Sequence, residues 1–244
     1  MSAPPTREET IRLSVDAGLA RITLDRPPLN VLTTAMMREL ASVLRRVAAD
    51  EAIQVVRIDA AGRAFSAGVD VGDHLGDLLP AMMAALGDLF VAFEDVPRPI
   101  VAVVQGAALG GGLEVVLGCD LVVASESATF GQPEIKLGVF APPATVLLPR
   151  RSGRGAATGM LLTGESVDAA EALRLGLANA VFAAEGFDVA ASAWIQKIHR
   201  CGAQPGTGEC DRYFVHLRPP PPGCTASAQL ILDAECDEAL GYTI

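Results

Sequence analysis

Aromatic residues are scarce in this 244-residue sequence, at 5%, with one Trp and two Tyr. A nucleic-acid surface built from stacking aromatics among cations has little to draw on. Positive charge is also short: 19 Lys and Arg stand against 29 Asp and Glu, a net charge of −10. A broad phosphate-binding face is therefore excluded, and only a local basic site stays open. Long apolar runs are missing as well. The two most apolar stretches, 101–116 and 115–124, are interrupted by Gln105, Glu114 and Asp120, so no membrane span is expected. Met1–Thr10 contains no apolar stretch of the kind a secretory leader needs, and the expected location is the cytoplasm. Cysteine is almost absent up to residue 200, where Cys119 stands alone; Cys201, Cys210, Cys224 and Cys236 crowd the rest. Their spacings match no zinc ribbon, and a chain this long needs no disulfide framework, so neither a metal site nor redox chemistry is expected.

What is abundant is apolar: 50% of residues are hydrophobic and 20% charged, enough for a substantial core. Ile11–Val15 and Ala20–Leu24 read as a hairpin around Asp16-Ala-Gly18. Thr33 or Thr34 opens a helix to about Ala49, with Met36, Met37, Leu40, Leu44 and Val47 on one face. Gln54–Asp59 is a strand, Ala81–Phe93 a helix, and Ile100–Val104 and Leu121–Ala124 are strands. Val146–Thr163 reads as a helix broken at 150–155, Asp168 caps a helix that Gly176 ends, and Asn179–Phe182 is a last short strand. Alternating strands and helices predict an α/β fold with parallel pairing.

Three segments carry chemistry. Gly110-Gly-Gly112 followed by Leu113-Glu114 places glycines where a strand turns into a helix. There unpaired N–H groups point outward and hold an anion or a polarised carbonyl oxygen. A plain tight turn is the competing reading. A nucleotide-phosphate loop is excluded, because neither Gly-x-Gly-x-x-Gly nor Gly-Lys-Ser/Thr occurs. Phe65-Ser-Ala-Gly-Val-Asp70 follows a strand and offers a second N–H; two such groups aimed at one oxygen make an oxyanion hole. Phe130-Gly-Gln-Pro-Glu134 presents an acid from a constrained turn, although a surface acid paired with Lys136 is the alternative.

Taken together, these segments resemble the enoyl-CoA hydratase/isomerase (crotonase) superfamily over about residues 10–190. Asp25-Arg-Pro-Pro-Leu-Asn30, Phe65–Asp70, Gly106–Glu114, Cys119-Asp120, Phe130–Glu134, Thr163–Ser166, Ala169–Ala172 and Gly176-Leu177 occur in the family's order. Within it, Phe130–Pro142, Gly68–Asp70 and the nearby His74 look most like the cyclohexa-1,5-diene-1-carbonyl-CoA hydratases of anaerobic aromatic degradation. The resemblance implies a ββα spiral core over 1–190 and a C-terminal helical region over 191–244 that helps cover the CoA and build trimers or dimers of trimers. The sequence of 201–244 departs from those helices.

The resemblance further implies a carbon–oxygen lyase that hydrates an unsaturated acyl-CoA. Glu114 would activate water and Glu134 would transfer the proton to carbon. Ala67 and Gly111 would form the oxyanion hole, and Arg26, Ser66, Gly68, Val69, Asp70, Gly110 and Phe140 would bind substrate. CoA would enter as part of the substrate, with no separate cofactor or metal. For the cyclic diene the expected product is 6-hydroxycyclohex-1-ene-1-carbonyl-CoA. The segment Val139–Thr145, Pro-rich where ordinary relatives are Gly-rich, implies a stiffer acyl pocket. A linear enoyl-CoA hydratase, or an acyl-CoA-binding protein without activity, are the alternatives. His74 reads as a packing or hydrogen-bonding residue, because the chemistry already has its acid and base.

Overall fold

The computed structural model describes residues 10–202. The strands β1 (Ile11–Asp16), β2 (Leu19–Leu24), β3 (Val55–Ala60), β4 (Ile100–Val104), β6 (Leu121–Ser125) and β9 (Ala180–Phe182) form one sheet in the order β1-β2-β3-β4-β6-β9. Only β1 and β2 pair antiparallel; the other neighbours run parallel. A smaller sheet, in the order β5-β7-β8, is made of β5 (Ala107–Leu109), β7 (Thr129–Gly131) and β8 (Ser166–Asp168). Beside the sheets lie α1 (Thr34–Ala49), α2 (Leu79–Asp95), α3 (Gly111–Gly118), α4 (Pro142–Ser152), α5 (Arg154–Thr163), α6 (Ala169–Arg174) and α7 (Phe187–Gly202). The expected α/β spiral, with strands and helices alternating along the chain, is the architecture found.

The central strands are covered on both faces, which is why they read as unbroken apolar runs. Val56, Ile58, Ala102, Val104, Val122 and Ala124 join the main core, where Met36, Leu40 and Leu44 of α1 meet Leu86, Leu89 and Phe93 of α2. Each such Val, Ile, Leu, Met or Phe side chain contributes about 1.5–3 kcal/mol by leaving water. Val55, Val101, Val103 and Val123 face the other way, onto Phe187, Ala191 and Ile195 of α7. Two charged residues, Arg57 and Asp59, are buried beneath that helix. They satisfy each other at 2.7 Å, and the Arg57 guanidinium also reaches Asp188 and donates to Ser192 Oγ at 2.9 Å. Arg21 Nε at 2.7 Å and Thr23 Oγ1 at 2.6 Å complete the partners of Asp59. A fully partnered buried network of this kind fixes where α7 docks.

The helix boundaries follow the local chemistry. Thr33 caps α1 by accepting from Met36 N at 3.2 Å, and Asp168 caps α6 by accepting from Glu171 N at 2.8 Å. The expected break near 150–155 is Gly153, at φ 77°, between α4 and α5. The span Gly76–Asp95 is long and apolar enough to cross a bilayer by composition, with mean hydropathy 1.5. In this fold Met82, Ala85, Leu86, Leu89, Phe90 and Phe93 of that span are buried in the core. The boundary expected at residue 190 falls inside α7, and the cysteine-rich segment 203–244 lies outside the described residues.

Candidate active site

The small sheet brings the glycine turn and the Gly-Gln-Pro turn together. β5 ends at Leu109, Gly110 turns the chain, and α3 starts at Gly111. β7 runs parallel beside β5 and leads into a 3₁₀ turn, Pro133–Leu137, which carries Glu134. Gly110 N donates to Gly131 O at 2.9 Å and locks the two turns side by side. Gly110 sits at φ 53°, and a Cβ there would stand 2.5 Å from Glu134 Oε1, so only glycine serves. The loop after β3 is the third component: Ser66 bridges to Ala108 of β5, and Val69 bridges to Leu32 before α1.

These parts surround a cavity of about 170 Å³, lined by Val69, Gly110, Gly111, Glu114, Glu134 and Phe140 among others. Its far wall is apolar, with Leu79, Met82, Met83 and Leu86. Glu114 is 3% exposed and accepts from Ala144 N at 3.2 Å. Burial first, and then the nearby Glu134 charge, push its pKa up to about 8. Burial also raises Glu134 above the ordinary carboxylate range. Its Oε2 is buried with no hydrogen-bond partner among the described residues. At neutral pH such a pair retains a proton and titrates as a unit.

The N–H groups that face one another across the glycine turn differ from the sequence expectation at one position. Ala67 lines the cavity, but its N–H donates to Leu29 O at 3.0 Å and is turned away. Successive N–H groups alternate sides in extended chain. Leu32 N donates to Gly68 O at 2.8 Å and Asp70 N donates to Leu32 O at 2.9 Å, which turns the intervening Val69 N–H to the opposite side. Val69 N lies 3.3 Å from where a Cβ of Gly111 would be, and no acceptor among the described residues takes the N–H of Val69 or of Gly111. Val69 and Gly111 are therefore the facing pair, and Ala67 is corrected to Val69.

Of the expected substrate contacts, Gly68, Val69, Gly110 and Phe140 line the cavity. Arg26, Ser66 and Asp70 do not, for reasons visible in their bonds. Arg26 Nη1 donates to Val31 O at 3.1 Å and braces its own turn. Ser66 Oγ is buried, donating to Asn30 O at 2.7 Å. Asp70 caps the next 3₁₀ turn, Val71–His74, by accepting from Gly72 N at 2.9 Å. Arg151 is also structural: its guanidinium donates to Cys119 O.

His74 lines the cavity, with Nδ1 3.0 Å from Asp70 O. Since a carbonyl only accepts, that contact assigns the proton to Nδ1. Asp73 was not picked out by sequence. Its Oδ2 accepts from Thr34 N at 2.7 Å and Thr34 Oγ1 at 2.8 Å, tying the turn that bears His74 to the start of α1. Replacing Asp73 with Ala is expected to cost about 1 kcal/mol in thermal unfolding, as a lost helix cap. It is also expected to raise KM more than it lowers kcat, because one wall of the cavity loosens; steady-state kinetics checks the split.

A family model described as enoyl-CoA hydratase/isomerase matches residues 14–204. A cyclohexa-1,5-dienecarbonyl-CoA hydratase from Thauera aromatica is 40% identical over 185 residues, 76% of this chain and 71% of that protein. A probable enoyl-CoA hydratase from Rhizobium meliloti is 39% identical over 180 residues, 72% of this chain and 69% of its own. Among solved structures, an enoyl-CoA hydratase from Mycobacterium smegmatis superposes with a TM-score of 0.78 at 30% identity, covering 95% of this chain and 93% of that one. Another, from Mycobacterium avium subsp. paratuberculosis, gives 0.77 at 30% identity, over 93% and 85%.

Proposed function

The chain belongs to the enoyl-CoA hydratase/isomerase family, and from that premise we propose that it hydrates an unsaturated acyl-CoA thioester, with a cyclic dienoyl-CoA as its substrate. The observation that carries the hydratase reading is the pair Glu114 and Glu134, both with raised pKa, in one cavity with the free N–H groups of Val69 and Gly111. The thioester oxygen accepts from those two donors, which stabilise the negative charge that develops as an enolate forms. A water lies between the glutamates. In the form of the pair that carries its proton on Glu134, Glu114 is the carboxylate and takes a proton from the water while the oxygen bonds to the carbon β to the thioester. Glu134, as the acid, gives its proton to carbon. One turnover leaves the proton on Glu114, the state its deeper burial favours, and the pair resets by passing that proton through water to Glu134.

For cyclohexa-1,5-diene-1-carbonyl-CoA, hydroxyl bonds to the ring carbon β to the thioester and the proton goes to the opposite end of the diene. The remaining double bond shifts between them, giving 6-hydroxycyclohex-1-ene-1-carbonyl-CoA. Two observations favour a ring over a linear chain. The Thauera relative is named for that activity. The cavity wall at Val139–Pro142 runs straight into α4, whose first turn contains Pro142 and Pro143, so this side is held stiff. A panel of linear and cyclic enoyl-CoA thioesters with product identification tests the reading. The expected result is a higher kcat/KM for the cyclic diene than for crotonyl-CoA; the reverse order leaves a hydratase of linear chains. CoA stays part of the substrate in this mechanism, and no metal has a role in it. Assembly as a homotrimer or dimer of trimers is part of the same proposal, checked by mass in solution.

A further inference from the structure

The wall of the cavity between Val71 and Leu86 is apolar except at one position, where it carries His74. The imidazole is held from behind. Asp70 O accepts the Nδ1 proton at 3.0 Å and the N–H of Asp73 at 3.1 Å. The turn itself is pinned to the start of α1: Asp70 N donates to Leu32 O at 2.9 Å, and Asp73 Oδ2 accepts from Thr34 N at 2.7 Å. With the ring proton committed to Nδ1, Nε2 of the neutral imidazole is a bare acceptor. Nε2 has no partner among the described residues, and on this partly exposed side chain it is open to solvent.

An acceptor set into an apolar wall discriminates between ligands. Carbon packed against it strips its water and returns nothing, whereas a hydroxyl on the ligand replaces the lost bond. Selective pockets work this way, with a few placed polar atoms among apolar side chains. Glu114 and Glu134 are already committed to water and proton transfer. His74 has no part in that chemistry and stands among the side chains that meet the acyl group. We propose that His74 Nε2 accepts a hydrogen bond from a hydroxyl on the acyl group, and that hydroxylated unsaturated acyl-CoA thioesters are the preferred substrate class. This contact rests on the acyl-CoA reading of the cavity and applies to a ring or a chain alike. On a ring, the hydroxyl stands on a carbon outside the diene.

Binding rather than turnover tests it, with thioesters that have no double bond to hydrate. Calorimetry compares cyclohexane-1-carbonyl-CoA with its 3- and 4-hydroxy derivatives, and hexanoyl-CoA with its 5- and 6-hydroxy derivatives. In the wild-type protein at least one hydroxylated thioester is expected to bind about tenfold more tightly than its parent. In His74→Phe, which keeps a flat ring and removes the acceptor, that preference should vanish, because the hydroxylated member weakens and the parent does not. His74→Gln, which returns an acceptor oxygen, should restore part of it. A purely structural role for His74 would weaken parent and hydroxylated thioesters equally. Equal affinities within both series in the wild-type protein overturn the proposal, and so does a preference that survives in His74→Phe. A protein that shows the His74-dependent preference yet hydrates no unsaturated thioester refutes the hydratase reading and leaves this contact standing. A wild-type protein that binds none of these thioesters removes the acyl-CoA reading, and the contact with it.

Discussion

Glu134→Gln and Glu114→Gln are each expected to reduce hydration by about 10²- to 10⁴-fold, the range that a positioned acid or base supplies, and neither is expected to destabilise the fold at alkaline pH. The second half follows from the direction of the pKa shifts. Folded Glu114 holds its proton up to about pH 8, against an ordinary value of 4.5. Between those values the folded state binds more protons than the unfolded one. The contribution of Glu114 to stability is therefore most favourable below pH 4.5 and declines as pH rises to about 8. A shift of this size corresponds to stability on the order of 5 kcal/mol at the alkaline limit. Glu114→Gln keeps an acceptor for Ala144 N and removes one ionisable group, so its unfolding free energy should decline less over that window, the remaining slope coming from Glu134, and should cross above the wild-type protein by pH 9. Chemical denaturation at several pH values measures this. Activity in the wild-type protein should fall over the same alkaline range, because hydration needs one proton on the pair. A fully active Glu134→Gln would remove the two-carboxylate mechanism.

The oxyanion donors give the second large effect. In Gly111→Ala the new Cβ would stand 2.5 Å from Val69 Cγ2 and 3.3 Å from Val69 N. Valine is stiff at χ1 and has nowhere to rotate cheaply, so its backbone moves and the two N–H groups no longer converge. Loss of one such donor lowers kcat by about 10²- to 10³-fold. A sharper version deletes single N–H groups by placing an ester linkage in the backbone. At Val69 the same kinetic loss is expected with little change in stability. At Ala67 the bond to Leu29 O disappears, which costs about 1 kcal/mol of folding while turnover persists. Equal kinetic losses at the two positions would return Ala67 to the oxyanion hole.

That contrast marks where sequence reading stops. Glu114 and Glu134 were singled out because three motifs occur together in the order of a known family; each turn taken alone also admitted a plain structural reading. The large sheet and α1 were legible because apolar periodicity over many residues is a strong signal. Asp168 and Gly176 were legible as single-residue punctuation, and the break between α4 and α5 as the segment 150–155. The small sheet was not, since β5, β7 and β8 have three residues each and no alternation can be read over that length. Ala67 was mistaken for Val69 for a related reason. Both flank Gly68, and which N–H faces the cavity is decided by Leu29 and Leu32, more than thirty residues earlier in the chain. Arg26 and Asp70 carry charge in the right motifs, and each also makes a bond to neighbouring backbone that the sequence does not announce. Asp73 left no trace in the pattern because its partner, Thr34, belongs to another element.

The pairing of β5 with β7 acts as a ruler. It sets the ends of the two strands, Leu109 and Gly131, side by side at the spacing of hydrogen-bonded neighbours, about 4.8 Å, and so fixes how the turns that carry Gly111 and Glu134 face each other. Neither the acyl wall of α2 nor the segment at Val139–Pro142 takes part in that pairing. Reaction geometry and substrate choice are therefore held by separate pieces of the chain. The walls are free to diverge toward rings, branched groups or longer chains without retuning the distance between donor and acid.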